Sequence, residues 1–318
     1  MIDLAIVAVS YNTRDLLAEC LASALGGLER SRPHSPGRSG LSGEVWVVDN
    51  ASADGSAEMV RQRFPAVRLV ANDQNIGFAA GNNLALRNLS GFMPRHVLFL
   101  NPDTRVVGDA LGQMVRFLDA TPHAGVAGAR LVHGDGSFQH SAFAFPGLVQ
   151  TLLDFFPLHP RLLESRLNGR YPRQSYQAGK PFAVDHPLGA ALMIRAQTLA
   201  QVGGFDERFF MYCEEVDLCR RVKEAGWGIY CVPQAEIVHL VAQSTRQFRD
   251  RMFVALWRSR FLMFDKHESA AWRWAVRRLV RLGLRAERRR ATAAYRREKI
   301  SEVELQGRLA AYREVAAL

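Results

Sequence analysis

The first hundred residues alternate short apolar runs with helical patterns, and few architectures accommodate that alternation. "LAIVAVS" (4–10) is followed by "TRDLLAECLASAL", "EVWVVDN" (44–50) by "SAEMVRQRF", and "VRLVAN" (67–72) by "AAGNNLALRN". "HVLFLNPDT" (96–104) then ends in an acidic turn. Near-continuous apolar strands have no polar face to turn to water, so they belong in a parallel sheet covered by helices on both sides. In such a sheet ligands lie beyond the carboxyl ends of the strands. The polar clusters fall there: Ser10-Tyr11-Asn12, Asp49-Asn50 and Asn101-Pro102-Asp103.

A chain of 318 residues has room for one large α/β domain with additions, or for two smaller domains. The opening "MIDLAIVAVSYN" has no basic region and no small-residue cleavage site, and reads as a buried strand. No run approaches the roughly 18 apolar residues of a membrane span. Cys20, Cys213, Cys219 and Cys231 show no paired metal-binding spacing and read as reduced thiols of a cytosolic protein. "RSRPHSPGRSGLSG" (30–43) reads as a surface insertion without chemistry.

After about residue 130 the pattern is less regular. "FPGLVQTLLDFFPLHPRLLESRL" (145–167) has helical spacing broken by prolines, and fits either a core helix or a surface element that touches lipid. Strand-like "GAALMIR" (189–195) and "GIYCVPQAEIVHL" (228–240) flank an acidic stretch, "FFMYCEEVDLCRR" (209–221). From roughly residue 250 the chain reads as helices.

Each polar cluster admits a structural and a chemical reading. Asp49, at the end of a buried strand, can accept hydrogen bonds from a nucleobase or ribose, or can simply turn the chain. In "DQNIGFAAGNN" (73–83), Gly77 and Gly81 allow close approach of backbone, while Asn75, Asn82 and Asn83 offer amides. The dinucleotide spacing G-x-G-x-x-G is absent. A desolvated Asp103 needs a partner, either a helix start or a divalent cation bridging a diphosphate. His239, after an apolar strand, is a packed residue or a ligand. Glu214 and Glu215 suit a helix N-terminus as well as acid–base work.

"VSYN", "VVDNASADGS", "NIGFAAGNN", "LNPDT", "GAALMIR", "VGGFDERFFMYCEEVDLCRR" and "GWGIYCVPQAEIVH" occur in one order over about residues 3 to 245. In that order they resemble family 2 glycosyltransferases, with the rhamnosyltransferase-like branch nearest in pattern. The resemblance implies a GT-A fold, with a Rossmann-like, mostly parallel central sheet flanked by helices and a C-terminal helical extension. It divides the chain into a glycosyltransferase domain (1–245) and a basic helical extension (246–318). It also implies inverting transfer from a nucleotide-diphosphate sugar to a hydroxyl of a glycan or polyprenyl-linked glycolipid. The branch favours dTDP-rhamnose, with UDP-sugars next.

Carried over by position, the resemblance places Asp49 on the nucleoside with Ser10 and Tyr11 beside the base. Asn75, Gly77 and Asn82 would shape the donor pocket. Asn101 and Asp103 stand where the family has D-x-D, with Asn replacing the first acid. Asp103 and His239 would then hold Mg2+ or Mn2+. Glu215, where most relatives have Asp, matches the general base, and Glu214 its supporting neighbour. Gly189 and Ala190 match a small-residue turn near the acceptor. Phe210 and Tyr212 sit on a loop, from residue 203 onward, expected to order when donor binds. Asp217 and Arg220 read as helix-face contacts, and Arg221 as either a diphosphate contact or a solvated surface residue.

The net charge of +10 is unevenly placed, with eleven Arg and Lys against two Glu between residues 270 and 299. "AAWRWAVRRLVRLGLRAERRR" suits an anionic membrane surface, or packing on the catalytic domain or on a second subunit as a homodimer. No nucleic-acid module accompanies it. A peripheral place at the cytoplasmic membrane face would follow from the first reading. The competing functional class is a catalytically inactive sugar-nucleotide-binding protein on the same fold, favoured only by Asn101 and Glu215. A nucleotidyltransferase would need an early glycine-rich, lysine-bearing phosphate loop, and none is present.

Overall fold

The structure, a computed structural model, describes residues 2–31, 41–89, 94–240 and 249–318. Most of the 30–43 insertion lies outside these described residues. The chain divides into two compact units. The first holds the described residues up to 143, then 173–210 and 214–240. The second holds 144–172, 211–213 and 249–318.

In chain order the elements begin β1 (Leu4–Ser10), α1 (Arg14–Arg30), β2 (Gly43–Asn50), α2 (Ser56–Arg63), β3 (Arg68–Asn72), α3 (Phe78–Leu89) and β4 (His96–Leu100). Next come β5 (Thr104–Val106), α4 (Ala110–Ala120), β6 (Ala124–Val132), β7 (Phe138–Gln139), β8 (Ala142–Phe143), α5 (Leu148–Phe155) and α6 (Pro160–Leu163). They continue with α7 (Arg173–Gln177), β9 (Phe182–Ala183), β10 (His186–Pro187), β11 (Ala191–Arg195), α8 (Ala196–Val202), α9 (Glu214–Glu224) and β12 (Gly228–His239). The last three are α10 (Arg249–His267), α11 (Ala270–Arg296) and α12 (Glu302–Ala317).

The first unit is built on a sheet in the order β3-β2-β1-β4-β11-β6-β12-β5, with β7 beside β6 and β9 beside β12. The apolar runs form the parallel set β3-β2-β1-β4, and every residue of β1 is buried. The core joins Leu4, Ile6 and Val47 of the sheet to Leu17, Leu21 and Leu111 of the helices. One departure from the parallel pattern governs the site. β11 runs antiparallel to both β4 and β6, so it starts where β4 ends, with Ala191 opposite Leu100. β12 is parallel to β6, and its carboxyl end therefore lies at the same edge.

In the second unit the 145–167 segment forms a half-buried helix, with Leu153 and Phe155 inside and Val149 and Leu152 exposed, and a broken continuation. α5 packs on α11, and prolines at 157 and 160 end the regular pattern. Phe155 stacks on Trp257 with ring centroids 5.1 Å apart, Arg260 pairs with Asp154, and Arg290 donates to the carbonyl of Phe155. The helices meet at Gly283, where a Cβ would fall 2.1 Å from the Phe155 ring. Gly283→Val is expected to lower the unfolding free energy by about 1–3 kcal/mol, the range for overpacking. Thermal melts followed by circular dichroism will show it, and an unchanged melt would contradict this packing.

Candidate active site

The polar residues that end β1, β2 and β3 are register neighbours, Ser10 with Asp49 and Asn50 with Asn72. Asp49 is 2% exposed. Its Oδ2 accepts the Ser52 amide at 3.0 Å, while Oδ1 is buried with no partner among the described residues. The turn therefore uses one oxygen and leaves the other for a ligand's N–H or O–H. Ser10 is buried against Thr13, and Tyr11 is exposed beside it. The two loops behind them are laced together. The Asn12 amide donates to Ser52 Oγ at 2.9 Å, that of Ala53 to Asn12 Oδ1 at 2.8 Å, and that of Arg14 to Asp54 at 2.8 Å.

Asn75 and Gly77 form the next wall. Asn75 Oδ1 accepts the Gly77 amide, and Asn50 Nδ2 donates to the Gly77 carbonyl, both at 3.0 Å. Gly77 has φ of 85°, and a Cβ there would lie 2.6 Å from the carbonyl oxygen of Phe210. Glycine permits that approach, and the Phe78 amide donates to the same oxygen at 2.8 Å. Phe210 itself is half exposed. Asn82 is buried, with its amide donating to the Phe78 carbonyl one turn back, so its donor is engaged within α3.

Beyond β4, the Asn101 amide donates to the Ala190 carbonyl at 2.9 Å, which ties this turn to the start of β11. The pairing of β5 with β12 sets Thr104 opposite His239, and His239 Nε2 lies 3.4 Å from Asp103 Oδ1. The other ring nitrogen, Nδ1, is 3.0 Å from Gln139 Nε2, while Gln139 Oε1 is buried without a partner among the described residues. With its amide oxygen and nitrogen interchanged, Gln139 accepts from Nδ1–H and leaves the Nε2 lone pair facing Asp103. No cluster of three His, Cys, Asp or Glu that could hold a metal exists among the described residues. One carboxylate and one imidazole fit a Mg2+ or Mn2+ ion that completes its shell with diphosphate oxygens and water.

α9 opens directly on the acid pair. Tyr212 and Cys213, just before it, take left-handed φ values of 71° and 64°. Glu214 is 6% exposed, and Glu215 is partly accessible. Burial pushes the Glu214 carboxyl well above the usual range, and the negative charge of Glu215 pushes it further. Burial also raises Glu215, while backbone hydrogen bonds at Glu215, Val216 and Gly189 pull it partly back. Each acid keeps a buried Oε2 with no partner among the described residues. Gly189 lies against Glu215, where a Cβ would stand 3.5 Å from the carboxyl carbon. Gly189 precedes Ala190, so a continuous path of contacts joins Glu215 to the Asn101–Asp103 turn.

Residues 202–210, part of the segment expected to order on donor binding, are tied down by hydrogen bonds and ring packing. Asn83 clamps Phe205 at both ends, donating to its carbonyl at 2.8 Å and accepting from its amide at 2.9 Å. Hydrogen bonds from Asn83 and Arg87 hold the Glu207 carboxyl below its usual range. The Phe205 ring lies edge-on to Phe78 and Phe99, with centroids 6.1 and 4.7 Å away. Arg221 bonds Asp217 through Nε at 2.9 Å and the carbonyls of Val202 and Gly204 at 2.6 and 2.8 Å. All three guanidinium nitrogens are thus engaged by protein, and the side chain is largely buried rather than solvated. Of the site-supporting residues Asn83, Arg221 and Gln139, sequence reasoning named the first two without these roles and missed the third. The Asn82-Asn83 doublet was the one visible signal, whereas Gln139 lies in a two-residue strand without pattern.

Residues 5–184 match the family model described as "Glycosyl transferase family 2". The chain is 31% identical over 312 residues to the N-acetylglucosaminyl-diphospho-decaprenol L-rhamnosyltransferase of Mycobacterium tuberculosis, covering 90% of this chain and 96% of that one. It is 27% identical over 183 residues to rhamnosyltransferase WbbL of Escherichia coli, covering 56% of this chain and 66% of the relative. Among solved structures, the mannosyltransferase PcManGT from Pyrobaculum calidifontis, in complex with GDP-Man and Mn2+, shares the fold. Its TM-score is 0.57 at 19% identity, with 100% of this chain and 85% of that one covered. The architecture is the GT-A arrangement.

Two measurements check the clamp. Amide hydrogen exchange in 203–210 is expected to be slow without any nucleotide. Asn83→Ala should accelerate it and lower stability by about 1–3 kcal/mol, because it strands the Phe205 amide and carbonyl. Fast exchange in the unliganded wild type would mean that these bonds do not hold the loop.

Proposed function

Because the chain belongs to glycosyl transferase family 2 and is a glycosyltransferase, we propose that it moves L-rhamnose from dTDP-rhamnose to a hydroxyl of a polyprenyl-linked glycan, with inversion. UDP-sugars are the next donor class. The sugar and the lipid-linked acceptor rest on the named activities of the relatives. The observation that carries the chemistry is Glu215. Its unpartnered oxygen lies beside Gly189, joined by contacts to the turn that holds Asp103.

On this reading residues 1–245 are the glycosyltransferase domain and 246–318 the extension. Asp49 Oδ1 accepts from the nucleobase, with Tyr11 beside it and Ser10 behind. Asn75 and Gly77 line the donor, and Asn82 supports that wall from within α3. Gly189, Ala190, Phe210 and Tyr212 border the acceptor. Glu215 takes the proton from the acceptor hydroxyl as that oxygen bonds the anomeric carbon, and the electron pair of the broken C–O bond leaves on the diphosphate. Asp103 and His239 would hold Mg2+ or Mn2+, which when bound neutralises charge on the departing diphosphate. Gln139 fixes the His239 ring. Glu214 keeps its proton, because Glu215 ionises first and its charge then opposes a second loss. A polyprenyl-linked acceptor sets the enzyme to work at the cytoplasmic face of a membrane.

Glu215→Gln is expected to cut transfer by about a hundred- to ten-thousand-fold, the usual contribution of a general base. It should leave thermal stabilisation by dTDP and Mn2+ intact, whereas Asp103→Ala should lose the metal-dependent part of that stabilisation. Transfer at the wild-type rate in Glu215→Gln would remove the base from this residue. Stabilisation by UDP with none by dTDP would move the donor to the second class.

A further inference from the structure

α11 carries charge that its own unit does not use. Its arginines fall into two sets according to what they meet. Arg273 and Arg277 pair with Asp265, and Arg290 with Glu287 and the Phe155 carbonyl. Arg278, Arg281, Arg285, Arg288 and Arg289 are exposed, and among the described residues none has a carboxylate within ion-pairing distance. Trp274 is 63% exposed and Leu282 54%. The Arg278 guanidinium lies over the Trp274 ring, 5.3 Å from its centroid.

These residues form one stripe. At about 3.6 residues per turn, the five arginines with Trp274 and Leu282 fall within an arc of about 120° and a length of about 22 Å. The opposite face, with Val276, Val280, Leu284 and Ala291, is buried. A helix face that meets only water ordinarily intersperses acids among its bases. Here Glu287 lies off the stripe and is already engaged with Arg290.

Five unpaired guanidinium groups beside an indole and a leucine call for a partner with dense phosphate charge over an apolar layer. We infer that this stripe docks on an anionic phospholipid bilayer. The arginines take headgroup phosphates, to which their planar forks are matched, and Trp274 and Leu282 enter the interface. A second copy is a poor occupant, because a two-fold contact through this face would set arginine against arginine. The inference rests on the proposed lipid-linked acceptor only for its purpose, which is to hold the enzyme in the plane of that acceptor.

Cosedimentation of the full-length protein with phosphatidylcholine vesicles, with and without phosphatidylglycerol, tests the inference without any sugar transfer. Binding is expected only with phosphatidylglycerol and should weaken as salt rises. The triple variant Arg281→Gln, Arg285→Gln, Arg288→Gln should bind roughly a hundred-fold less, at about five-fold per charge. Its melt and its rate on a water-soluble acceptor analogue should stay unchanged, since these side chains have no partner among the described residues. Trp274→Ala should weaken binding without altering its salt dependence. Wild-type protein that ignores phosphatidylglycerol, or a triple variant that binds like wild type, would overturn the inference. So would a triple variant that converts a dimer to a monomer on gel filtration, which would give the stripe to a second copy. Vesicle binding with no sugar transfer would uphold the stripe and sink the proposed reaction.

Discussion

A carboxylate oxygen buried without a partner is costly, and among the described residues this site holds three: Asp49 Oδ1, Glu214 Oε2 and Glu215 Oε2. At Glu214 and Glu215 burial disfavours the charged form. Among the described residues no arginine pairs with any of them. Arg221 is engaged by Asp217 and two carbonyls, and Arg95 by Asp3 and Asp119. Compensation comes from a ligand or, at the two glutamates, from a retained proton. On the proposed reading the nucleobase satisfies Asp49, the acceptor hydroxyl meets Glu215, and Glu214 stays protonated.

Glu215 meets the Asn101–Asp103 turn because of one reversed strand. β11 runs antiparallel between β4 and β6, so its first residues arrive where β4 delivers Asn101 and Asp103. Gly189 then lies against Glu215 with only van der Waals room for a Cβ. The entry to α9 is locally strained, since two successive non-glycine residues take left-handed φ. Such conformations cost about 1 kcal/mol or more each and persist where the surroundings hold them. Ser259 Oγ, donating to the Met211 carbonyl at 2.7 Å within the second unit, is one such hold.

The parallel half of the sheet was legible because its strands are apolar on both faces, and that pattern has few other solutions. The ends of those strands were legible too: Asp49 and Asp103 stand at the edge where a ligand belongs. The antiparallel course of β11 left no mark in "GAALMIR", since a buried strand reads alike in either direction. Nor did the sequence show that α5 packs among the C-terminal helices, which depends on Gly283 admitting Phe155. Gln139 escaped notice, as did the roles of Asn83 and Arg221, because apart from the Arg221–Asp217 pair one turn back these side chains act through partners distant along the chain. Local spacing encodes strands and turns, whereas contacts of that range appear only in the fold.

The central claim is that the paired acids divide their work, with Glu215 ionising first as the base and Glu214 neutral beside it. The pH dependence of kcat in wild type and in Glu214→Gln tests it most directly. Because burial raises the Glu215 carboxyl, kcat should climb through a midpoint above the roughly 4.3 of a free glutamate. Replacing a neighbour that is already neutral should leave that midpoint in place. A midpoint that falls to the ordinary range in Glu214→Gln, or an acid limb that vanishes with it, would show that Glu214 carries the titrating proton.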